Sequence, residues 1–246
     1  MGFEIALIVM GVLIGIIGFI SLIVSVWLCI KYHVFNKKEN SAGLTGVEVA
    51  RKILDSNDLQ HIKVKVTGSL LFGNSYSHIF KKVRLRRFTK NKTSLTSLGM
   101  GAQKSCLAIL DKEGDKDMRK RIRLYPLITF GPFMFIPLIA IGALLDYFMF
   151  NSTGVIIYVL GAIGFLFYVY AVVLTITTLK TEKKAQEKAY EILQRENLVT
   201  EEELTDLKEL FHLYNVQYVN DIILASLELI YRVLEIAFHI AKESKD

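Results

Sequence analysis

Three long runs without a charged residue limit what this chain can fold into. They cover residues 5–30, 124–145 and 147–179, and each is long enough to cross a bilayer, which takes roughly 20 apolar residues. Of the 246 residues, 52% are hydrophobic, which agrees with a chain largely embedded in lipid. The sequence therefore predicts a mainly α-helical integral membrane protein with membrane helices at 5–30, 124–145 and 155–179.

Positive charge flanks the same side of all three predicted membrane helices. The flanking basic residues are Lys31, His33, Lys37, Lys38, Arg119, Lys120, Arg121, Arg123, Lys180, Lys183 and Lys184. Because Lys and Arg are enriched in cytoplasmic flanks, we expect a multi-pass protein of the cell membrane with its N-terminus outside. Residues 31–123 and 180–215 would then be cytoplasmic. The first run lacks the basic start of a cleaved signal peptide and is interpreted as a permanent anchor.

The last apolar stretch, residues 216–240, has two interpretations. Its charged and histidine residues are Asp221, Glu228, Arg232, Glu235 and His239. At helical periodicity they form one narrow polar stripe on an otherwise apolar helix. Such a helix either lies in the membrane interface or spans the bilayer as a fourth membrane helix with its stripe turned inward. The second interpretation is slightly favoured.

Local patterns predict a small α+β domain at residues 31–123. Thr45 and Glu48 have the spacing of a capping box, which predicts a helix to about residue 56. Alternating residues predict two strands and a loop between them: 62–67, 80–88 and 68–77. A further helix is predicted at 93–110, so the order is helix, β-hairpin, helix. After the third membrane helix we expect a charged helix at 181–196 and another that starts at the capping box of Thr200.

The predicted cytoplasmic domain is strongly basic, with 21 basic and 8 acidic residues in 31–123. Seven of its basic residues fall within twelve positions: Lys81, Lys82, Arg84, Arg86, Arg87, Lys90 and Lys92. Anionic lipids of the inner leaflet attract such clusters, so this patch is predicted to face lipid. Nucleic-acid binding is not predicted, because only Phe80 and Phe88 are near enough to stack on bases.

The residues alone give little sign of a metal site. Two cysteines, Cys29 and Cys106, exclude a disulfide framework. The five histidines are scattered without HExxH or i,i+4 spacing, which are the patterns expected of a zinc helix. No glycine-rich phosphate loop or nucleophile elbow is present either.

One segment is nevertheless specific. Residues 41–55 read Ser-Ala-Gly-Leu-Thr-Gly-Val-Glu-Val-Ala-Arg-Lys-Ile-Leu-Asp. This segment closely resembles one in the bacterial membrane zinc metallopeptidase family (YugP type). Its members place an N-terminal anchor first, then this segment, a hairpin, an HEAGH zinc helix and two membrane helices. A helix with the third zinc ligand, an LTEEEL-like cap and a last apolar helix follow.

The resemblance covers about residues 1–240, and residues 198–204 (Leu-Val-Thr-Glu-Glu-Glu-Leu) look like the cap. It implies a minimal zincin-like core and, in the family, a zinc cofactor. This chain departs from the family pattern at the zinc-binding residues. Where the family reads roughly VGVAAHEAGHAIQ, residues 98–110 read Leu-Gly-Met-Gly-Ala-Gln-Lys-Ser-Cys-Leu-Ala-Ile-Leu. The resemblance places Gln103 and Leu107 at the two histidines, Lys104 at the general-base glutamate and Glu182 at the third ligand.

These substitutions predict that zinc is not bound. Zinc needs imidazole, thiolate or carboxylate donors, and Leu107 donates nothing. Lys104 brings a positive charge and accepts no proton at neutral pH. We therefore expect Lys104 to form an ion pair with Glu182 where metal would otherwise join the two helices.

Three functional hypotheses follow. The leading one is a catalytically inactive relative without a cofactor, which binds or regulates a membrane protein or an active paralogue. The first alternative is an active membrane zinc metallopeptidase with an unusual ligand set, such as Glu182, Cys106 and His78. The second is a structural membrane protein whose basic domain binds lipid. A transporter is disfavoured, because the sequence shows no inverted repeat.

Overall fold

The computed structural model describes residues 2–67, 73–90, 92–150 and 155–243. Most of these residues are helical, and three short strands form one sheet. In chain order the elements are α1 (Gly2–Phe35), α2 (Gly46–Asp55), β1 (Lys63–Thr67), β2 (Ser75–Ser77), β3 (Lys82–Arg86), α3 (Arg87–Lys90), α4 (Leu95–Lys112), α5 (Lys116–Leu145), a π-helical turn (Asp146–Phe150), α6 (Val155–Arg195) and α7 (Glu201–Glu243).

The chain divides into two compact units. One consists of Met1–Ile20, Arg123–Thr178 and Val219–Asp246, and it is called the helix unit here. The other consists of Ser21–Ile122 and Leu179–Tyr218, and because it contains the three strands it is called the sheet unit.

Two helices of the described chain are long and apolar enough to cross a membrane. They are Leu7–Phe35 and Val155–Arg195, judged by length and composition. A shorter apolar helical segment covers Pro137–Phe148. Many large apolar side chains on the two long helices are exposed, for example Ile8 on α1 and Leu166 on α6. This exposure is expected of side chains that face lipid.

Within the helix unit, α5 and α6 are joined closely at one end. The carboxylate of Asp146 accepts hydrogen bonds from the backbone N–H groups of Ile156 (3.2 Å) and Ile157 (2.8 Å), so it satisfies first-turn donors of α6. A methyl group at Gly142 would lie 2.6 Å from the Cα of Ile157. A glycine at this position therefore allows the two backbones to touch.

The first capping box is confirmed in the sheet unit. Thr45 is the N-cap of α2, and the side chains of Thr45 and Glu48 bond to each other's backbone N–H groups. The apolar side of α2 packs on α4, whose residues 95–110 are all buried. Helix α4 is therefore the central element of the core, and it confirms the helix predicted at 93–110.

The predicted pairing of the strands is wrong. The two predicted strands correspond to β1 and β3, but these pair in parallel, in the order β1-β3-β2. The antiparallel neighbour of β3 is β2, at Ser75–Ser77, which lies inside the predicted loop. Parallel neighbours need a long connection, and the chain between β1 and β3 is long enough to form one. The hairpin of this domain is β2–β3, closed by a turn at which Lys81 has a φ of 44°.

The segments predicted at 155–179 and 181–196 form one helix, and so do the helix predicted to start at Thr200 and the stretch at 216–240. Helix α6 runs without interruption through Val155–Arg195, and α7 through Glu201–Glu243. Each therefore joins a segment of the helix unit to a segment of the sheet unit.

The two sequence motifs of the resemblance meet at Glu203. This residue closes the capping box of α7, because its side chain accepts from the Thr200 N–H (2.8 Å) and its own N–H donates to Thr200 Oγ1 (3.2 Å). The same carboxylate accepts from the backbone N–H and the hydroxyl of Ser41, both at 2.6 Å. Burial opposes its ionisation, but these hydrogen bonds lower the pKa of Glu203. One buried carboxylate thus ties residues 41–55 to the start of α7.

Candidate functional site

Three side chains from two other helices converge on the carboxylate of Glu182. Glu182 lies on α6, Gln103 and Lys104 on α4, and Arg121 on α5. Glu182 Oε2 accepts from Lys104 Nζ at 2.7 Å and from Gln103 Nε2 at 2.9 Å. Arg121 donates to Oε1 at 2.8 Å. The expected ion pair between Lys104 and Glu182 is therefore present, and Gln103, Lys104, Arg121 and Glu182 are called the carboxylate cluster below.

The carboxylate cluster is buried and holds Glu182 ionised. The side chains of Lys104, Arg121 and Glu182 are 11%, 17% and 7% exposed. Burial opposes ionisation, but the charges of Lys104 and Arg121 outweigh it and lower the pKa of Glu182 from 4.5 to about 2. The two cations against one carboxylate leave one excess positive charge in the cluster.

A cavity of about 200 Å³ opens beside the carboxylate cluster. It lies wholly within the sheet unit, and Gln103, Lys104 and Glu182 form part of its wall. Gln186 and Asn215 form another part, where their side-chain amides exchange two hydrogen bonds of 3.1 and 2.8 Å. The cavity wall thus presents polar groups that are already paired with one another.

The other candidate residues, Leu107, Cys106 and His78, do not belong to the carboxylate cluster. Leu107 is packed in the hydrophobic core. Cys106 is also a core residue, and burial raises the pKa of its thiol. The Nδ1 atom of His78 lies 2.6 Å from the carboxylate of Asp111, which also accepts a hydrogen bond from Tyr76. The ligand set of Glu182, Cys106 and His78 is not brought together.

Most of the predicted basic patch is exposed or half-exposed: Lys81, Lys82, Arg84, Arg86, Arg87 and Lys92. Lys81 differs from the rest, because its Nζ lies 3.6 Å from the carboxylate of Asp111. The side chain of Lys90 lies outside the described residues. Contact of this patch with lipid stays a prediction.

A family model described as "Putative neutral zinc metallopeptidase" matches residues 9–237. The match covers both units and nearly the whole chain. The chain belongs to this family. This confirms the resemblance recognised from residues 41–55 and 198–204.

A curated relative agrees with this assignment. The chain is 25% identical to "Putative membrane protease YugP" of Bacillus subtilis (strain 168) over 204 residues, which are 81% of this chain and 84% of the relative. The comparison with solved structures found no match.

The family is described as zinc metallopeptidases. The donor atoms around Glu182 therefore decide whether this chain's site can bind zinc. Among the described residues, no three His, Cys, Asp or Glu side chains are grouped so as to hold a metal ion. Both oxygens of Glu182 already accept hydrogen bonds from cations, and a dication would have to displace or repel them. The residues of the carboxylate cluster do not fit zinc.

Sequence reasoning missed Arg121. Its charge was attributed to the basic flank of the second membrane helix, where Arg119, Lys120 and Arg123 have the same sign. In the structure α5 begins at Lys116, and Arg121 lies in the sheet unit. Its pairing with Glu182, 61 positions further along the chain, required the tertiary structure.

Proposed function

We propose that this chain is a catalytically inactive member of the zinc metallopeptidase family that acts by binding another membrane protein. The bound protein would be either a substrate of the family that is held without cleavage or an active paralogue. The observation that carries the proposal is the pairing of Glu182 with both Lys104 and Arg121. A carboxylate neutralised in this way is a structural link between helices rather than a free metal ligand.

The chemistry of the cluster supports an inactive site in a second way. Activation of water for hydrolysis needs a metal ion or a group that accepts its proton. Lys104 carries no free acceptor while it is protonated and bonded to Glu182. Gln103 offers one neutral amide oxygen, and its amide nitrogen already donates to Glu182. Neither Lys104 nor Gln103 therefore serves as the group that takes a proton from a water molecule.

The first test is the zinc content of the detergent-purified full-length protein, with Glu182→Ala as control. We expect no stoichiometric zinc in either protein, because the cluster offers a single carboxylate that cations already occupy. About one zinc ion per chain that disappears in Glu182→Ala would overturn the proposal and indicate an active peptidase with an unusual ligand set.

A gain-of-function variant makes the same test sharper. In Gln103→His/Lys104→Glu/Leu107→His the two new histidines lie one turn apart on α4, and position 103 already faces Glu182. We expect about one zinc ion per chain in this variant. A matched variant, Gln103→His/Leu107→His with Lys104 retained, should bind zinc more weakly, since Lys104 still competes for Glu182. A folded triple variant without zinc would contradict the placement of Gln103 and Leu107 at the family's histidines.

The proposal includes the membrane topology. It places α1, the 124–145 part of α5 and the 155–179 part of α6 across the membrane, with the N-terminus outside and the sheet unit in the cytoplasm. It adds the 216–240 part of α7 as a fourth span. The basic flanks of the first three segments support the orientation. Long continuous helices that change from apolar to charged along their length support the spans.

Cysteine labelling in intact cells tests this topology. Tyr147 lies between the proposed spans at 124–145 and 155–179, on the outer side of the membrane. In a background without Cys29 and Cys106, Tyr147→Cys should therefore react with a membrane-impermeant maleimide. Both Tyr147 and Lys52 are exposed in their own units, so both positions are reactive once reached. Lys52→Cys in the sheet unit should therefore react only after lysis. The opposite pattern would reverse the orientation.

A further inference from the structure

One face of the sheet carries four cations without an ionic partner. In the parallel pair of β1 and β3, Lys63 lies beside Lys82 and Lys65 beside Arg84. Alternate residues of a strand point to the same side, so all four side chains share one face, called the basic face below. Within the described part of the chain, none of these four side chains forms an ion pair.

The basic face is the outer side of the sheet. Val83 and Leu85, which alternate with its residues along β3, are fully buried in the core. Burial and the charges of Arg84 and Lys65 lower the pKa of Lys82. Like charges on neighbouring strands destabilise a sheet. An anionic partner bound to the basic face would reduce this repulsion.

Two large apolar side chains lie next to the basic face. Ile79 and Phe80 occupy the turn between β2 and β3, and they are 74% and 62% exposed. They are called the apolar tip below. The ring of Phe80 extends over the basic face, with its centroid 4.4 Å from Lys82 Nζ and 5.8 Å from Arg84 Cζ. An aromatic and an aliphatic side chain thus project from a turn surrounded by cations.

We propose that the apolar tip and the basic face together bind the surface of an anionic bilayer. Ile79 and Phe80 enter the headgroup region, and Lys63, Lys65, Lys82 and Arg84 bind anionic headgroups. This surface uses different residues from the carboxylate cluster. The proposal therefore holds whether or not Glu182 binds zinc.

A bilayer suits this surface better than other anionic partners. The chain has helices long enough to cross a membrane, so its sheet unit is tethered near lipid at high effective concentration. Each Lys or Arg near an anionic leaflet is attracted to it, and apolar side chains deepen such binding. A nucleic acid would require stacking platforms. Phe80 alone offers one here, and the aliphatic Ile79 beside it cannot stack.

The test uses the full chain in lipid nanodiscs. Phe80→Trp is introduced with Trp27→Phe, which removes the one natural tryptophan. In nanodiscs of phosphatidylcholine and phosphatidylglycerol we expect a blue-shifted emission from the introduced tryptophan. Bromine atoms on the acyl chains should quench this emission. In nanodiscs of phosphatidylcholine alone both effects should be largely lost.

Charge variants show whether the basic face is responsible. Lys63→Gln/Lys65→Gln should lower the ratio of inserted to free tip about 30-fold, since each lysine near an anionic leaflet contributes a factor of about five. The matched control Lys52→Gln/Lys208→Gln removes the same charge from exposed positions elsewhere in the sheet unit and should leave quenching unchanged.

Four results would overturn the proposal. A water-like emission in phosphatidylglycerol nanodiscs would show that the tip stays in solvent. A blue-shifted emission that bromolipids do not quench would mean that protein covers the tip, for example a second copy of this chain. A blue shift that appears only on addition of single-stranded RNA would make the partner a nucleic acid. Equal losses in the two charge variants would likewise exclude the basic face as the cause.

Discussion

Glu182→Gln should destabilise the sheet unit by about 3–5 kcal/mol, the usual cost of removing one partner from a buried ion pair. The cost arises because Lys104 and Arg121 would then lie together in the core with no opposing charge. Urea titration by pulse proteolysis in detergent measures the free energy of unfolding, and it can be applied to the full-length protein.

The matched variant is Lys104→Met. It removes a positive charge from the cluster, whereas Glu182→Gln removes the negative one. Lys104→Met removes the excess cation and leaves Glu182 paired with Arg121 and hydrogen-bonded to Gln103. A buried charge replaced by an apolar side chain of similar size is often tolerated, so we expect a cost of about 1 kcal/mol or less. If Lys104→Met costs as much as Glu182→Gln, the excess charge is not what makes the carboxylate necessary.

The pH dependence gives a second measurement on the same cluster. The folded pKa of Glu182 is lowered to about 2 from 4.5, so its contribution to stability is fully present above about pH 4.5. That contribution is lost as the pH falls through about 2. A shift of this size corresponds to about 3 kcal/mol. The difference in stability between the natural protein and Glu182→Gln should therefore shrink over this interval and stay constant at neutral pH.

Local chemistry was enough to predict the helices of this chain. The capping boxes at Thr45 and Thr200 were found because a capping box depends on residues three positions apart. The long apolar runs were found because bilayer thickness fixes their length. Composition did not predict where helices end. The apolar and charged parts of α6 and α7 differ in composition, yet each helix continues through the point where the composition changes.

The pairing of strands could not be read from the same local patterns. Alternation identified β1 and β3, but it does not say which strand lies beside which. Strand β2 has three residues, Ser-Tyr-Ser, and no apolar alternation that would distinguish it from a loop. Its pairing with β3 leaves the other edge of β3 for β1, and there the two strands run parallel. The sequence analysis missed this arrangement.

The candidate site shows the same division between local and tertiary information. Gln103, Lys104 and Glu182 were selected by their places in a family pattern, and opposite charges then predicted the ion pair. Arg121 was not selected, because the basic flank of the second predicted membrane helix explained all four cations at 119–123. Its role depends on how α5 passes α6, and no local pattern specifies the packing of two helices.

Gly101→Ala should be at least as harmful as the loss of Glu182, although alanine normally stabilises a helix by about 1 kcal/mol relative to glycine. A methyl group at Gly101 would lie 2.4 Å from the carbonyl oxygen of Gly46. A methyl group at Gly46 would in turn lie 2.3 Å from the carbonyl oxygen of Thr89. Backbone touches backbone at both positions, so no side chain can rotate away. Helices α2 and α4 would have to separate, at a cost of about 3 kcal/mol or more.

The control for this prediction is Gly99→Ala on the same helix. Its methyl group would meet the end of the Leu207 side chain at 2.5 Å, and that side chain can move. We expect a free energy of unfolding within about 1 kcal/mol of the natural protein, measured by the same pulse proteolysis. Similar losses in both variants would mean that side-chain packing around α4, rather than backbone contact, limits this helix. A loss confined to Gly101→Ala would show that the helix that carries Gln103 and Lys104 is positioned by contact with the backbone of Gly46.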